Sequence, residues 1–289
     1  MLNRGEAIAT KHQFLAVILS AVCFWLAPSD ILAEDDYLSA GEVVAIGGTS
    51  ITMAWAGGLV KKSTAESPPG FTTPSGFDAW FTRKLGGKAR VGKMNFMDTD
   101  GASFASTVTT GMLVLSLDAA YPRVDKGKDI AQNQFLFYSG ALAQKGVHDL
   151  FKGLVLRQRP LGYYHSDLAG QVFQNQPADR NHSFYSGHSS VAFYAMTFLN
   201  KRVREAMRGE LSASEFKRYG WLAPTLTYGW ATFVAYSRVH AYKHYFTDVL
   251  MGALAGWLIG ELFYYLGELP NTGQNGSAGS AFVVRIPLP

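Results

Sequence analysis

The stretch SFYSGHSS, residues 183–190, sets Ser186, Gly187 and His188 side by side in otherwise apolar and hydroxyl-rich surroundings. The residues after it read as a helix over 187–207, for which Ser186 is a suitable cap. Gly187 would let a ligand approach the main chain. The free N–H groups of the first turn would form an anion site, with His188 beside it. A lone histidine at a helix start also serves as a structural hydrogen-bonding group, so the reading depends on what the rest of the chain supplies. His12, His148, His165, His182 and His240 are read as structural, with His182 the one close to the site.

Two further stretches carry matching chemistry. KGLVLRQRP, residues 152–160, holds Lys152 and Arg159 seven residues apart. If the helix ending there continues, both cations project from one face, and Pro160 then ends the run. Read by itself, the pair is a solvated helix terminus whose basic side chains complement the last carbonyls. SRVHAYKHYFTDVLMG, residues 237–252, holds Arg238, His244 and Asp248. Four residues separate His244 from Asp248, so on a helix the carboxylate can accept the imidazole N–H and leave the other ring nitrogen as a lone-pair donor. Read alone, that is an ordinary surface pair.

In the order K-x6-RP, SGH and SR-x5-H-x3-D, the three stretches resemble the type 2 phosphatidic acid phosphatase superfamily, which also includes bacterial acid phosphatases and vanadium haloperoxidases. The resemblance covers residues 152–248 directly. One departure is Tyr185, where the family usually has proline before SGH; it changes the stiffness of the approach but removes no reactive group. The resemblance implies that Lys152, Arg159 and Arg238 bind phosphate oxygens, assisted by Ser186 and the Gly187 backbone. It further implies that His244 is the nucleophile, Asp248 its orienting partner and His188 the general acid, with a phosphohistidine intermediate. No cofactor is expected. Phosphoryl transfer rests on positioning and charge stabilisation, which three fixed cations can supply, and no metal-ligand pattern such as HExxH appears.

The rest of the chain fits this frame. Its 289 residues are 48% hydrophobic and 17% charged, enough to bury the core of one domain. Apolar stretches of helical length at about 38–60, 101–120, 130–152, 187–207, 219–237 and 245–267 predict an all-α fold, a six-helix bundle of the phosphatidic acid phosphatase/haloperoxidase type. A long connector separates the first two, with room for one short helix. Residues 1–33 have the layout of a secretory signal peptide or N-terminal membrane anchor: Arg4 and Lys11 precede an uncharged run, and cleavage is expected after Ala33. Residues 34–267 form the helical domain and 268–289 a tail. The single cysteine, Cys23, falls in the leader, so the remaining chain forms no disulfide.

A net charge of +4 without a basic stripe interleaved with aromatics excludes nucleic acid as a partner. The expected partner is a phosphorylated lipid or a small phosphoester, with Tyr163, Tyr164 and Phe173 as candidate contacts to a lipid tail. Three other readings stand beside this one: a soluble periplasmic non-specific acid phosphatase, a vanadium-dependent haloperoxidase, and a non-catalytic anion-binding membrane protein. Gly252, Gly256 and Gly260 form a small-residue row suited either to a membrane helix or to a tight soluble bundle. The expected location is a bacterial cell envelope with the site facing the periplasm, because the basic loop 201–218 then lies inside.

Overall fold

The computed structural model describes residues 37–87, 102–123, 125–174 and 177–268, the side chains of 102–104 excepted. The expected leader and most of the tail lie outside them. The helices are α1 Ala40–Ser63, α2 Gly76–Leu85, α3 Ala102–Ala120, α4 Lys126–Leu154, α5 Pro160–Tyr164, α6 Ser166–Val172, α7 Gly187–Glu210, α8 Ala213–Tyr219, α9 Leu222–His240 and α10 Phe246–Leu266. A 3-10 turn covers Pro177–Asn181. The fold is all-α, and the six long helices α1, α3, α4, α7, α9 and α10 match the six expected stretches.

Local chemistry explains where they begin. Ser39 caps α1 in a reciprocal capping box with Glu42, whose carboxylate accepts the Ser39 N–H at 2.8 Å. Asp125 caps α4 by accepting the Lys128 N–H at 2.9 Å, which starts that helix four residues before the expected 130. The connector's short helix is α2, capped by Ser75.

α4 and α7 form the centre of the bundle: α1 runs along α4, α9 and α10 run along α7, and α3 touches both central helices. Phe137 of α4 stacks on Tyr194 of α7 at 5.5 Å between ring centroids and meets Phe198 edge-on at 5.3 Å. All three rings are fully buried. Burial of one such side chain stabilises by about 1.5–3 kcal/mol, and Phe137→Ala would cost about 3–5 kcal/mol once the cavity is included.

Glycines set the helix spacing. A Cβ on Gly57 of α1 would meet the Gly146 backbone of α4, and one on Gly153 would meet Val60 and Lys61. The row Gly252, Gly256 and Gly260 faces α7, where added Cβ atoms would meet Ser186, Ser190, Tyr194 and Thr197. That row therefore works inside the protein, seating the first turns of α10 against the start of α7. At the far end of the bundle the buried Arg202 of α7 pairs with Asp118 of α3, which also accepts from Asn133 of α4 at 3.0 Å. Helices α1 and α10 are long and apolar enough, by length and composition, to cross a membrane.

Candidate active site

The three motifs meet at one end of the bundle. α4 stops at Leu154, with Val155 as its C-cap, and the residue before Pro160 is likewise disfavoured from helix. The expected continuous helical face for Lys152 and Arg159 is thus not the arrangement found. Lys152 stands in the last turn of α4, while Arg159 lies in an extended loop as the N-cap of α5, with Pro160 at its first position. The connector holds this loop in place: the Gly70 N–H donates to the Leu156 carbonyl at 2.7 Å, and the Gln158 N–H to the Phe71 carbonyl at 2.9 Å.

Lys152, Arg159 and Arg238 are buried at 7%, 6% and 1% exposure. Cations so far from water require anionic or hydrogen-bonding company. Arg159 donates through Nε to the Asp179 carbonyl at 2.6 Å and through Nη1 to the Lys243 carbonyl at 3.1 Å, which fixes the guanidinium plane. Burial, the Arg159 charge and the Lys61 charge push Lys152 down to about 7. Asp179, 3.9 Å from Arg159, is held far below the usual carboxylate range: burial opposes this, but Arg159, Lys152 and Lys61 outweigh it.

His244 lies against these cations, with Nε2 at 3.4 Å from Arg159 Nη1. Its Nδ1 is 2.7 Å from the Ser183 carbonyl. A carbonyl only accepts, so Nδ1 carries the proton and Nε2 presents its lone pair. Burial and the charges of Arg159, Lys152 and Arg238 hold the imidazole well below the ordinary histidine range, so it stays neutral.

Here the expected His244–Asp248 hydrogen bond is corrected. Asp248 Oδ2 is 3.8 Å from Nδ1, beyond hydrogen-bond distance. The carboxylate instead accepts from Ser183 Oγ at 2.6 Å and from the Tyr245 N–H at 2.9 Å. Both residues sit near the N-terminus of α10, where His244 lies outside the helix, so the regular one-turn spacing does not apply. Asp248 thus holds Ser183, whose carbonyl meets His244, and caps α10 at the same time.

At the start of α7, Ser186 Oγ accepts the Ser189 N–H at 3.3 Å and also receives Ser189 Oγ at 2.9 Å. The Ser186 N–H donates to the Asp248 carbonyl at 2.9 Å, joining the second motif to the third. Gly187 is the first residue of α7, and the space a Cβ would need there is filled by the His148 ring. His188 follows in that first turn, partly exposed. Tyr185 is buried against His148 and Phe151, filling the approach where the family has proline. Phe173 lies beneath Arg159 at 5.9 Å, while Tyr164 packs against Tyr242 and Tyr163 packs on Tyr164.

Several residues of the site were not singled out from sequence. Arg157 donates to Asp248 Oδ1, to Thr247 Oγ1 and to Asp78 Oδ2, and lies over the Tyr245 ring. Asp78, from α2, also accepts the Thr247 N–H at 3.0 Å. Arg157 is visible in RQRP, two residues before Arg159, a spacing that a regular extended strand would place on one face; the structure instead gives the two arginines different partners, Asp78 and Asp248 for Arg157, the Asp179 and Lys243 carbonyls for Arg159. Nothing in the sequence pairs it with Asp78. Lys61 of α1 reaches Asp149 of α4 at 3.6 Å, and Asp149 also meets His148 Nδ1 at 3.2 Å.

Residues 135–270 match the family model of the PAP2 superfamily. The chain is 31% identical to human phospholipid phosphatase 2 over 195 residues, covering 57% of this chain and 65% of that protein. It is 29% identical to rat phospholipid phosphatase 1 over 150 residues, 46% of this chain and 50% of that protein. It is 39% identical to bovine phospholipid phosphatase 2 over 83 residues, 28% of this chain and 26% of that protein. The chain thus spans less than two thirds of the length of these relatives. No solved structure gives a significant match.

Proposed function

We propose that this protein is a lipid-phosphate phosphatase acting through a phosphohistidine formed on His244. The observation that carries the reading is the orientation of His244: its Nδ1–H donates to the Ser183 carbonyl, and its Nε2 lone pair faces Arg159 of the buried cation cluster. A neutral imidazole aimed at an anion site is a nucleophile.

In the proposed reaction Lys152, Arg159 and Arg238 hold the equatorial phosphoryl oxygens, with the first-turn N–H groups of α7 assisting. The Nε2 lone pair attacks phosphorus and the ester P–O bond breaks. His188 gives a proton to the departing alkoxide. Water then attacks the phosphohistidine, His188 takes a proton from it, and inorganic phosphate leaves as His244 is restored. The fixed cations supply the charge stabilisation, so the proposed chemistry has no metal requirement.

The lipid part of the reading is supported by the outer faces of the long helices. Trp55 and Leu59 on α1, Met112 on α3, Leu226 on α9 and Leu250 on α10 are exposed, a wide apolar surface that lipid would cover. The relatives named phospholipid phosphatase support the same substrate class. The site lies at the start of α7, and the basic segment 201–218 lies at the opposite end of that helix. The positive-inside rule then favours an outward-facing site, which in a bacterial envelope is the periplasm.

The test is phosphate release from a panel of lipid phosphates, lipid diphosphates and soluble phosphomonoesters, with and without chelator, comparing the wild-type chain with His244→Ala. The expected result is release from the lipids that persists in chelator and is abolished in His244→Ala, together with an acid-labile phosphoenzyme. Near-normal turnover by His244→Ala would overturn the mechanism.

A further inference from the structure

His182 is a buried imidazole that the proposed mechanism does not use. It is 1% exposed, and among the described residues neither Nδ1 nor Nε2 has a hydrogen-bond partner. Its backbone is tied to the site on both sides. The Asp179 carbonyl that fixes Arg159 Nε also accepts the His182 N–H at 3.4 Å, and the next residue, Ser183, receives the His244 proton. Burial and the charges of Lys152, Lys61 and Arg159, partly offset by Asp179, hold the ring down to about 4.

A neutral imidazole carries one donor and one acceptor, and leaving both unmet in the interior costs free energy that an apolar side chain of similar volume would avoid. A histidine in this position has both ring nitrogens open to a bound group. The charges of Lys152, Lys61 and Arg159, which act on the ring against that of Asp179, select an anion, and an arriving phosphoryl dianion offsets their charge and favours the protonated ring. The resulting hydrogen bond is charge-assisted.

We propose that His182 is a further phosphate-contacting residue, donating a ring N–H to an oxygen of the bound phosphoryl group beside Lys152 and Arg159. The proposal rests on the phosphatase reading for the identity of the ligand, but its test does not require turnover.

The experiment measures direct binding of inorganic phosphate and of vanadate to the full chain, as wild type, His182→Leu and His182→Gln, together with the melting temperature of each. His182→Leu should bind both anions at least tenfold more weakly. His182→Gln, which keeps an amide donor, should recover part of that loss. Unchanged affinity in His182→Leu, with a raised melting temperature, would show a purely structural histidine and overturn the proposal. If His182→Leu fails to fold, His182→Met is read by the same criteria. Absence of anion binding by the wild-type chain would overturn the phosphatase reading itself and this proposal with it, an outcome distinct from the failure of His182 alone.

Discussion

Arg157 Nη1 lies 2.6 Å from Asp248 Oδ1 while its Nη2 lies 2.6 Å from Asp78 Oδ2. One guanidinium thereby joins the loop after α4, the connector helix α2 and the start of α10. Both carboxylates are buried, so removing the arginine leaves two negative charges uncompensated in the interior. Arg157→Met should cost about 3–5 kcal/mol of stability, measured by chemical denaturation. It should also lower kcat, because Asp248 then loses one of the groups that fix it. A stability within about 0.5 kcal/mol of wild type would show that the network contributes little.

Asp248 reaches His244 through the Ser183 backbone, and Ser183 Oγ donates to its carboxylate at 2.6 Å. Asp248→Asn and Ser183→Ala should therefore damage kcat by the same route. Kinetics of the two single variants and the double variant check this. The double variant should be no worse than Asp248→Asn alone, since residues in one network are not additive. Fully additive losses would mean that Asp248 acts on His244 independently of Ser183.

Lys152, pushed down to about 7 by burial, Arg159 and Lys61, binds an anion only while protonated. The free enzyme should lose phosphate affinity as pH rises through about 7, giving an alkaline limb in kcat/KM. On the acid side His244 remains neutral, because burial and three cations hold it below the ordinary histidine range. Lys152→Arg should remove the limb near neutrality, since a guanidinium does not deprotonate in this range. Persistence of the limb in Lys152→Arg would assign it to another group.

Gly256 faces the Ser190 backbone of α7, with no room for a Cβ, whereas Gly48 on α1 has open space around that position. Gly256→Ala should push α10 away from α7 and destabilise by about 1–3 kcal/mol. Gly48→Ala should be neutral or slightly stabilising through helix propensity. Thermal melts of the pair check the contrast.

The sequence by itself determined the helices and singled out the candidate reacting groups. Apolar periodicity follows from which faces must be buried, so the six long helices were legible within a few residues. The three motifs carry their chemistry in residue type and order, so Lys152, Arg159, Arg238, His188, His244 and Asp248 could be named before their geometry was known. Only the tertiary structure decided how they are held. The hydrogen bond expected between His244 and Asp248 assumed one continuous helix, but the helix starts between the two residues, and the Ser183 carbonyl from a distant loop takes the imidazole proton. The partnership of Arg157 with Asp78 joins positions 79 residues apart, across a connector whose composition shows only that it is irregular. Such pairings depend on loop closure and burial, which no local pattern encodes. The glycine row on α10 was visible in the sequence, but packing alone turned it inward against α7, where it sets how closely the two helices approach.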